Sequence, residues 1–311
     1  MTRAEQWYRQ RTYHHRDYSP ERTAEAKTDT VTVCVPARET AGTIGAIVES
    51  LLDLRERKVI DAVMVVDAGS ADGTAEVAAR AGAEVHQEAA LVPEFGPPLG
   101  KGDAMWRALS VAYGDIVVFM DADTADPDPA HLLGLLGPLL GDPDVHFVKA
   151  AFERPFRTPD GVVAHEGGRV TELMARPLLN LHFPALAGFS QPLAGETAAR
   201  RDLLRSLPFA AGYGVEIGLL IDALRRVGLD GLAEAHVGTR QNRHQSLRAL
   251  SAMAFAVLVA VERRVARDAA EAPVAHGLVQ PWDGDSVRDV PVEERPPLRE
   301  VLGSADGATA R

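Results

Sequence analysis

Hydrophobic positions recur along the chain in two alternating periods. Val31–Val35 is a short apolar and β-branched run closed by Pro36, and Ala62–Val66 and Ile116–Met120 repeat that form. Short apolar runs bounded by turn residues predict strands buried on both faces. Between them the period lengthens: Ile44, Ile47, Val48, Leu51 and Leu52 fall at helical spacing within Gly42–Arg55. Residues 74–81 and Gly102–Ala112 read as further helices, and Glu84–Gln87 as a short strand. This alternation predicts an α/β fold with a mostly parallel central sheet and helices on both faces. Past residue 150 the pattern weakens. Phe147–Phe152 reads as a strand, a helix opens at Arg169, and amphipathic helices cover Gly214–Val227 and Ser246–Arg264.

The two ends differ from this middle. Residues 1–29 are polar yet hold Trp7, Tyr8, Tyr13 and Tyr18, so the arm is expected to pack on the body or on a partner subunit. From about Asp268 the chain is rich in Pro, Asp, Glu and Arg, as a wrapped extension or an unstructured tail would be. The expected organisation is an arm at 1–29, an α/β core at 30–150, a more helical portion of the same unit at 151–265, and a tail at 266–311.

Composition narrows the partners. Of 311 residues 46% are hydrophobic, the composition of a globular protein. The net charge of −11 repels phosphate backbones and argues against nucleic acid as a partner. A single cysteine, Cys34, leaves no disulfide framework and no cysteine zinc site. The first residues lack the apolar core of a signal peptide, and the longest apolar stretch, near Ala249–Val261, is too short to span a bilayer. A cytoplasmic protein is expected.

Candidate chemistry gathers where strands end. In open α/β sheets ligands bind at the carboxyl edge of the strands. Asp121-Ala122-Asp123 follows the third apolar run. Two carboxylates there suit a divalent cation that joins protein to substrate phosphate, together with a sugar or ribose hydroxyl. Asp67 ends the second run and is placed for a nucleoside base or ribose, while Ser70 and Thr74 read as helix caps. Glu39 follows the first run within Pro36-Ala37-Arg38-Glu39-Thr40. Lys101, one of only four lysines against 29 arginines, sits between Gly100 and Gly102 at a helix start and offers a point charge to phosphate. Gly167-Gly168 before a helix exposes backbone N–H groups, and Arg169 adds a donor fork suited to phosphate or carboxylate. Glu216 lies in an otherwise apolar helix face, where a carboxylate needs partners such as sugar hydroxyls.

In order, the segments PARETAGTIGAIV, VVDAGSADGT, GKGDAMWRAL, VFMDADTADPDP, GGRVTELMARPLL, QPLAGE, LPFAAGYGVEIGLLID and RQNRHQSL resemble the actinobacterial glucosyl-3-phosphoglycerate synthases, retaining glycosyltransferases of the GT-A fold. The resemblance spans about residues 31–263, and GGRVTEL and GYGVEIG are its most particular parts. It implies transfer of glucose from UDP-glucose to the 2-hydroxyl of 3-phosphoglycerate with Mg²⁺ or Mn²⁺, in a homodimer. Pro36, Ala37, Arg38, Glu39, Asp67 and Lys101 would hold the uridine and diphosphate. Asp121 and Ala122 would meet ribose or sugar, and Asp123 would ligate the metal. Gly168, Arg169 and Thr171 would bind the acceptor's phosphate and carboxylate, with Tyr213 and Glu216 at glucose and acceptor. Asp123, Glu216 and Lys101 would carry the catalysis.

Two positions depart from the family. Its usual acidic pair in the first loop is here Arg38-Glu39-Thr40. Asn242 stands where some members have a metal-binding histidine, and His244, two residues on, is the expected second ligand. The rival readings are a transferase with another donor or acid acceptor, such as a mannosyl-3-phosphoglycerate synthase, and a sugar-1-phosphate nucleotidyltransferase. The glycine-rich N-terminal signature of the latter is absent.

Overall fold

The computed structural model describes residues 3–124, 127–153, 156–158, 161–163, 168–239, 246–266, 278–279, 287–288 and 290–302. In chain order the arm gives α1 (Arg3–Arg11), β1 (Thr12–His14) and α2 (Pro20–Ala26). The first half continues with β2 (Val31–Ala37), α3 (Ala41–Glu56), β3 (Ala62–Asp67), α4 (Thr74–Ala81), β4 (Glu84–Gln87), α5 (Lys101–Ala108), β5 (Ile116–Phe119), α6 (Pro129–Gly141) and β6 (Phe147–Glu153). A small hairpin follows, β7 (Phe156–Thr158) and β8 (Gly161–Val163). Then come a π-helical turn (Thr171–Ala175) running into α7 (Arg176–His182), β9 (Thr197–Arg200), α8 (Arg201–Arg205), β10 (Phe209–Ala210), α9 (Val215–Val227), β11 (Leu232–Thr239) and α10 (Leu247–Val265). The tail holds β12 (Leu278–Val279), β13 (Val287–Arg288), β14 (Glu294–Arg295) and α11 (Leu298–Leu302).

Eight strands form one sheet in the order β1-β11-β6-β9-β5-β2-β3-β4. Every pairing is parallel except those of β9, which runs antiparallel to both β5 and β6. The two-residue period of β2 sorts its side chains between two cores. Val31, Val33 and Val35 pack with Ile44, Leu51 and Leu132 on one face. Cys34 joins Trp106, Phe119, Phe147 and Ile217 on the other. Helices therefore cover both faces, as the near-continuous apolar strands require.

The apolar runs at Val31, Ala62 and Ile116 are strands, and Glu84–Gln87 and the helix at 74–81 fall at the expected residues. The helix at 102–112 is shorter, stopping at Ala108. The central strand β9 carries no such signal, because its sequence TAAR is short and has one β-branched residue. Its neighbours bury it instead.

Both ends are built into the body. Trp7 is buried, stacks 4.3 Å from Phe189, and donates its indole N–H to the carbonyls of Leu229 at 3.0 Å and Leu232 at 3.1 Å. The arm then adds β1 to the sheet edge beside β11. In the tail, β14 pairs antiparallel with β10. Arg295 reaches Asp103 on α5, and Glu294 reaches Arg264 on α10 at 2.7 Å, so this stretch is a wrapped extension. Among the described residues no helix is long and apolar enough to cross a membrane.

Candidate active site

A cavity of about 1030 Å³ lies over the carboxyl ends of β2, β3 and β5. Its strand-end wall includes Pro36, Ala37 and Arg38 from β2 and Asp121, Ala122 and Asp123 from β5, with Lys101 at the start of α5. Gly168, Arg169 and Thr171 form another wall, and Tyr213 and Glu216 close a third.

Lys101 is the hub. Its ammonium lies 2.7 Å from Asp121 Oδ1 and 3.1 Å from Glu216 Oε1. Burial opposes the Lys101 charge, but the two carboxylates raise its pKa above the ordinary lysine value, so it remains a cation. Local sequence delivers it there. Gly100 adopts φ +124°, a left-handed value that suits glycine, and so turns the chain into α5. A Cβ on Gly102 would run into the backbone of Ala210, so only glycine lets α5 lie against β10.

Gly195, between β6 and β9, supplies the floor. A Cβ there would collide with Lys101 Nζ and both Asp121 carboxylate oxygens. Lys149 on β6 lies fully buried, donates to Thr197 Oγ1 at 3.3 Å, and feels the charges of Glu216, Lys101 and Asp121. Burial pushes its pKa down to about 8, against the pull of Glu216.

Asp123 is exposed at the cavity mouth, and its carboxylate makes no hydrogen bond or ion pair among the described residues. An uncommitted carboxylate at the mouth of the cavity suits a hard divalent cation that takes its other oxygens from a diphosphate and water. Asp121 is instead held by Lys101. His244 and Asn242 lie outside the described residues, as does Gly167.

Asp67 and Glu39 stand apart from the cavity lining. Asp67 is buried and turns back on its own loop, its Oδ2 accepting from Gly69 N and Ser70 N at 3.1 Å. Glu39 has φ +51° and points outward, where Oε1 accepts from Ala71 N at 2.8 Å. Glu39 thus ties the β2 loop to the β3 loop, while Asp67 closes its own turn. The short polar stretches that follow a strand look alike in sequence whether they face ligand or each other.

Gly168 begins the helical run, its carbonyl accepting from Glu172 N at 2.9 Å. Arg169 follows, and Thr171 opens a π-helical turn, a distortion frequent at functional sites. The opposite wall includes Leu250, Met253 and Val257 of α10 and Pro291 of the tail. Pro291, Gly195 and Lys149 are cavity or floor residues that the sequence reading missed. Only Gly195, next to a buried glutamate in QPLAGE, had a local signal.

Carboxylates at the ends of parallel strands, a lysine between glycines and a second wall built from helices define a nucleotide-sugar transferase of the GT-A type. Residues 32–181 match the family described as "Glycosyl transferase family 2". A glucosyl-3-phosphoglycerate synthase from Mycolicibacterium smegmatis is 43% identical over 274 residues, covering 86% of this chain and 89% of that protein. The crystal structure of glucosyl-3-phosphoglycerate synthase from Mycobacterium tuberculosis with Mn²⁺, UDP-glucose and phosphoglyceric acid superposes with a TM-score of 0.83 at 38% identity, over 94% of this chain and 98% of that one. Mannosyl-3-phosphoglycerate synthase from Rubrobacter xylanophilus superposes with a TM-score of 0.84 at 46% identity, over 96% and 99%. The chain belongs to the glucosyl-3-phosphoglycerate synthase family of glycosyltransferases.

Proposed function

We propose that the protein transfers glucose from UDP-glucose to the 2-hydroxyl of 3-phosphoglycerate with retention, giving glucosyl-3-phosphoglycerate. The observation that carries this reading is the meeting, in one cavity, of the Lys101–Asp121–Glu216 cluster with the helix start at Gly168-Arg169. The first suits a diphosphate and a sugar. The second suits a phosphorylated hydroxy acid on a protein that is otherwise acidic.

In this reading Asp123 and His244 would hold Mg²⁺ or Mn²⁺, which when bound would supply positive charge against the departing diphosphate. Lys101, fixed as a cation by Asp121 and Glu216, adds a second positive charge at the same leaving group. The backbone at Pro36, Ala37 and Arg38 lines the uridine. Asp121 and Glu216, which flank Lys101, orient sugar hydroxyls. Glu216 is tied to Lys101, so it is a poor covalent nucleophile; attack by the acceptor hydroxyl on the leaving-group side, as the bond to UDP breaks and a phosphate oxygen of the UDP takes the hydroxyl proton, accounts for retention. Gly168, Arg169 and Thr171 place the acceptor for that attack. Asp67 and Glu39 support the nucleotide loops from behind. Both substrates are strongly charged and do not cross membranes unaided, which supports a cytoplasmic site.

A second reading, mannosyl transfer from GDP-mannose, is favoured by the likeness to the Rubrobacter enzyme. The test is a matrix of donors (UDP-glucose, GDP-glucose, GDP-mannose) against acceptors (3-phosphoglycerate, glycerate) with purified protein and Mg²⁺. Turnover highest for UDP-glucose with 3-phosphoglycerate is expected. Turnover confined to GDP-mannose would replace the proposal by its rival.

A further inference from the structure

Glu88 has no part in the chemistry above, yet it lines the same cavity. It follows β4 directly and is only 2% exposed. Its Oε1 is buried and has no hydrogen-bond partner among the described residues. A buried carboxylate oxygen without a donor is costly and rare in a native protein. Because Glu88 lines the cavity, a bound ligand can supply that donor.

Sheet order says which part of a donor substrate reaches it. β4 lies three strands from β5 across β2 and β3, ~14 Å at ordinary strand spacing. Asp123 and Lys101 sit at the β5 side. An extended nucleoside diphosphate anchored there puts its base at the β4 side. The surroundings fit a flat ring: Ala68 and Ala89, which follow β3 and β4, line the cavity beside it. Arg38 lines it too, and its charge acts on the Glu88 carboxyl.

We propose that Glu88 reads the nucleobase of the donor, its carboxylate accepting the ring N–H while the Arg38 guanidinium donates to the adjacent carbonyl. The inference rests on the nucleotide-sugar reading above. The pair is complementary to the –CO–NH– edge that uracil and guanine share. Adenine and cytosine present the reverse, an amino donor beside a bare ring nitrogen, so a lone pair would face the carboxylate and N–H groups would face the guanidinium. Burial and the nearby Asp103 push the Glu88 carboxyl up to about 7, against the lowering effect of Arg107, Arg38 and Arg295. Its charged form is therefore held close to neutral pH and is favoured once an N–H arrives.

The test is calorimetric binding, with Mg²⁺ and without acceptor, to the wild type and to Glu88→Gln. The ligands are UDP, N3-methyl-UDP, CDP and ADP. UDP is expected to bind the variant about tenfold or more weakly, the loss of one charge-assisted hydrogen bond. N3-methylation should cost the wild type a similar factor and the variant little. CDP and ADP should bind the wild type at least tenfold more weakly than UDP, with a smaller gap in the variant. For UDP-glucose, whose diphosphate does not titrate near neutrality, wild-type affinity should fall as pH drops through about 7. The variant should show no such fall. An equal N3-methyl penalty in both proteins would overturn the assignment, as would unchanged UDP affinity in the variant. Should Glu88→Gln fail to fold, absence of both the N3-methyl penalty and the pH response in the wild type overturns it. A wild type that binds GDP and not UDP would refute the UDP-glucose reading instead. N1-methyl-GDP against GDP then tests Glu88 in the same way.

Discussion

The strand-end wall and the helical wall of the cavity are built by different means. Pro36 and Ala37 end β2, Arg38 follows it, and Asp121–Asp123 lie two to four residues past β5, so the parallel ladder between Val31–Cys34 and Ile116–Phe119 fixes their relative positions. The helical wall has no such ladder. Arg169 and Thr171 lie in a distorted helix start, Glu216 on α9, Leu250 on α10 and Pro291 on the tail. Buried ion clusters join these pieces. Arg264 of α10 binds Asp222 of α9 and Glu294 of the tail, while Arg295 and Arg107 both bind Asp103 of α5. A sheet edge positions groups through its backbone, whereas a wall of helices needs side chains to hold it in place.

Damage to the strand-end wall should therefore strike chemistry and spare the fold. Asp123→Ala is expected to lower kcat roughly a thousandfold or more, ~4 kcal/mol of transition-state stabilisation, with an unchanged melting temperature. Excess EDTA should reproduce the loss in the wild type. Full turnover of either would remove the metal from the reading.

Damage to the helical wall should strike stability as well. Arg295→Met leaves the buried Asp103 with one cation fewer, a change of a kind that costs ~3 kcal/mol. A melting temperature lower by several degrees is expected, with KM raised for donor and acceptor together because α5 carries Lys101. Wild-type stability in urea unfolding would show that the tail does not hold this wall.

Arg169→Ala sharpens the contrast, since it sits in the helical wall but touches the acceptor in the proposed reading. Loss of a charge-assisted contact predicts a ten- to hundredfold fall in kcat/KM for 3-phosphoglycerate. Arg169→Lys should recover part of it, and KM for UDP-glucose should hardly move. Equal losses with 3-phosphoglycerate and glycerate would show that the phosphate is read elsewhere.

The smallest effect concerns Lys149 under the floor. Its folded-state pKa is about 8, below the ordinary 10.5, so between those values the unfolded chain binds more protons. The lysine's contribution to stability thus improves as pH rises from 8 towards 10. Lys149→Met should gain on the wild type at pH 7 by on the order of 1 kcal/mol, and the gap should narrow at pH 10. A gap that does not change with pH would mean Lys149 folds without a shifted pKa.

The sequence alone determined the α/β alternation, since apolar runs of strand length closed by turn residues have few other ways to be buried. It also marked Asp121, Asp123, Lys101, Arg169 and Glu216, because charged residues at strand ends and helix starts stand out against apolar surroundings. Tertiary structure decided what such marks could not. It turned Asp67 onto its own loop and Glu39 onto the neighbouring one, although their sequence setting matches that of Asp121. It inserted β9 antiparallel between β5 and β6, and so set Gly195 beneath Lys101. It carried Pro291 to the cavity and left Glu88 there with an oxygen unpaired among the described residues. The physical reason is range. Period and turn chemistry act within a few residues, whereas the direction of a carboxylate and the partner it meets depend on atoms that only the folded chain brings together.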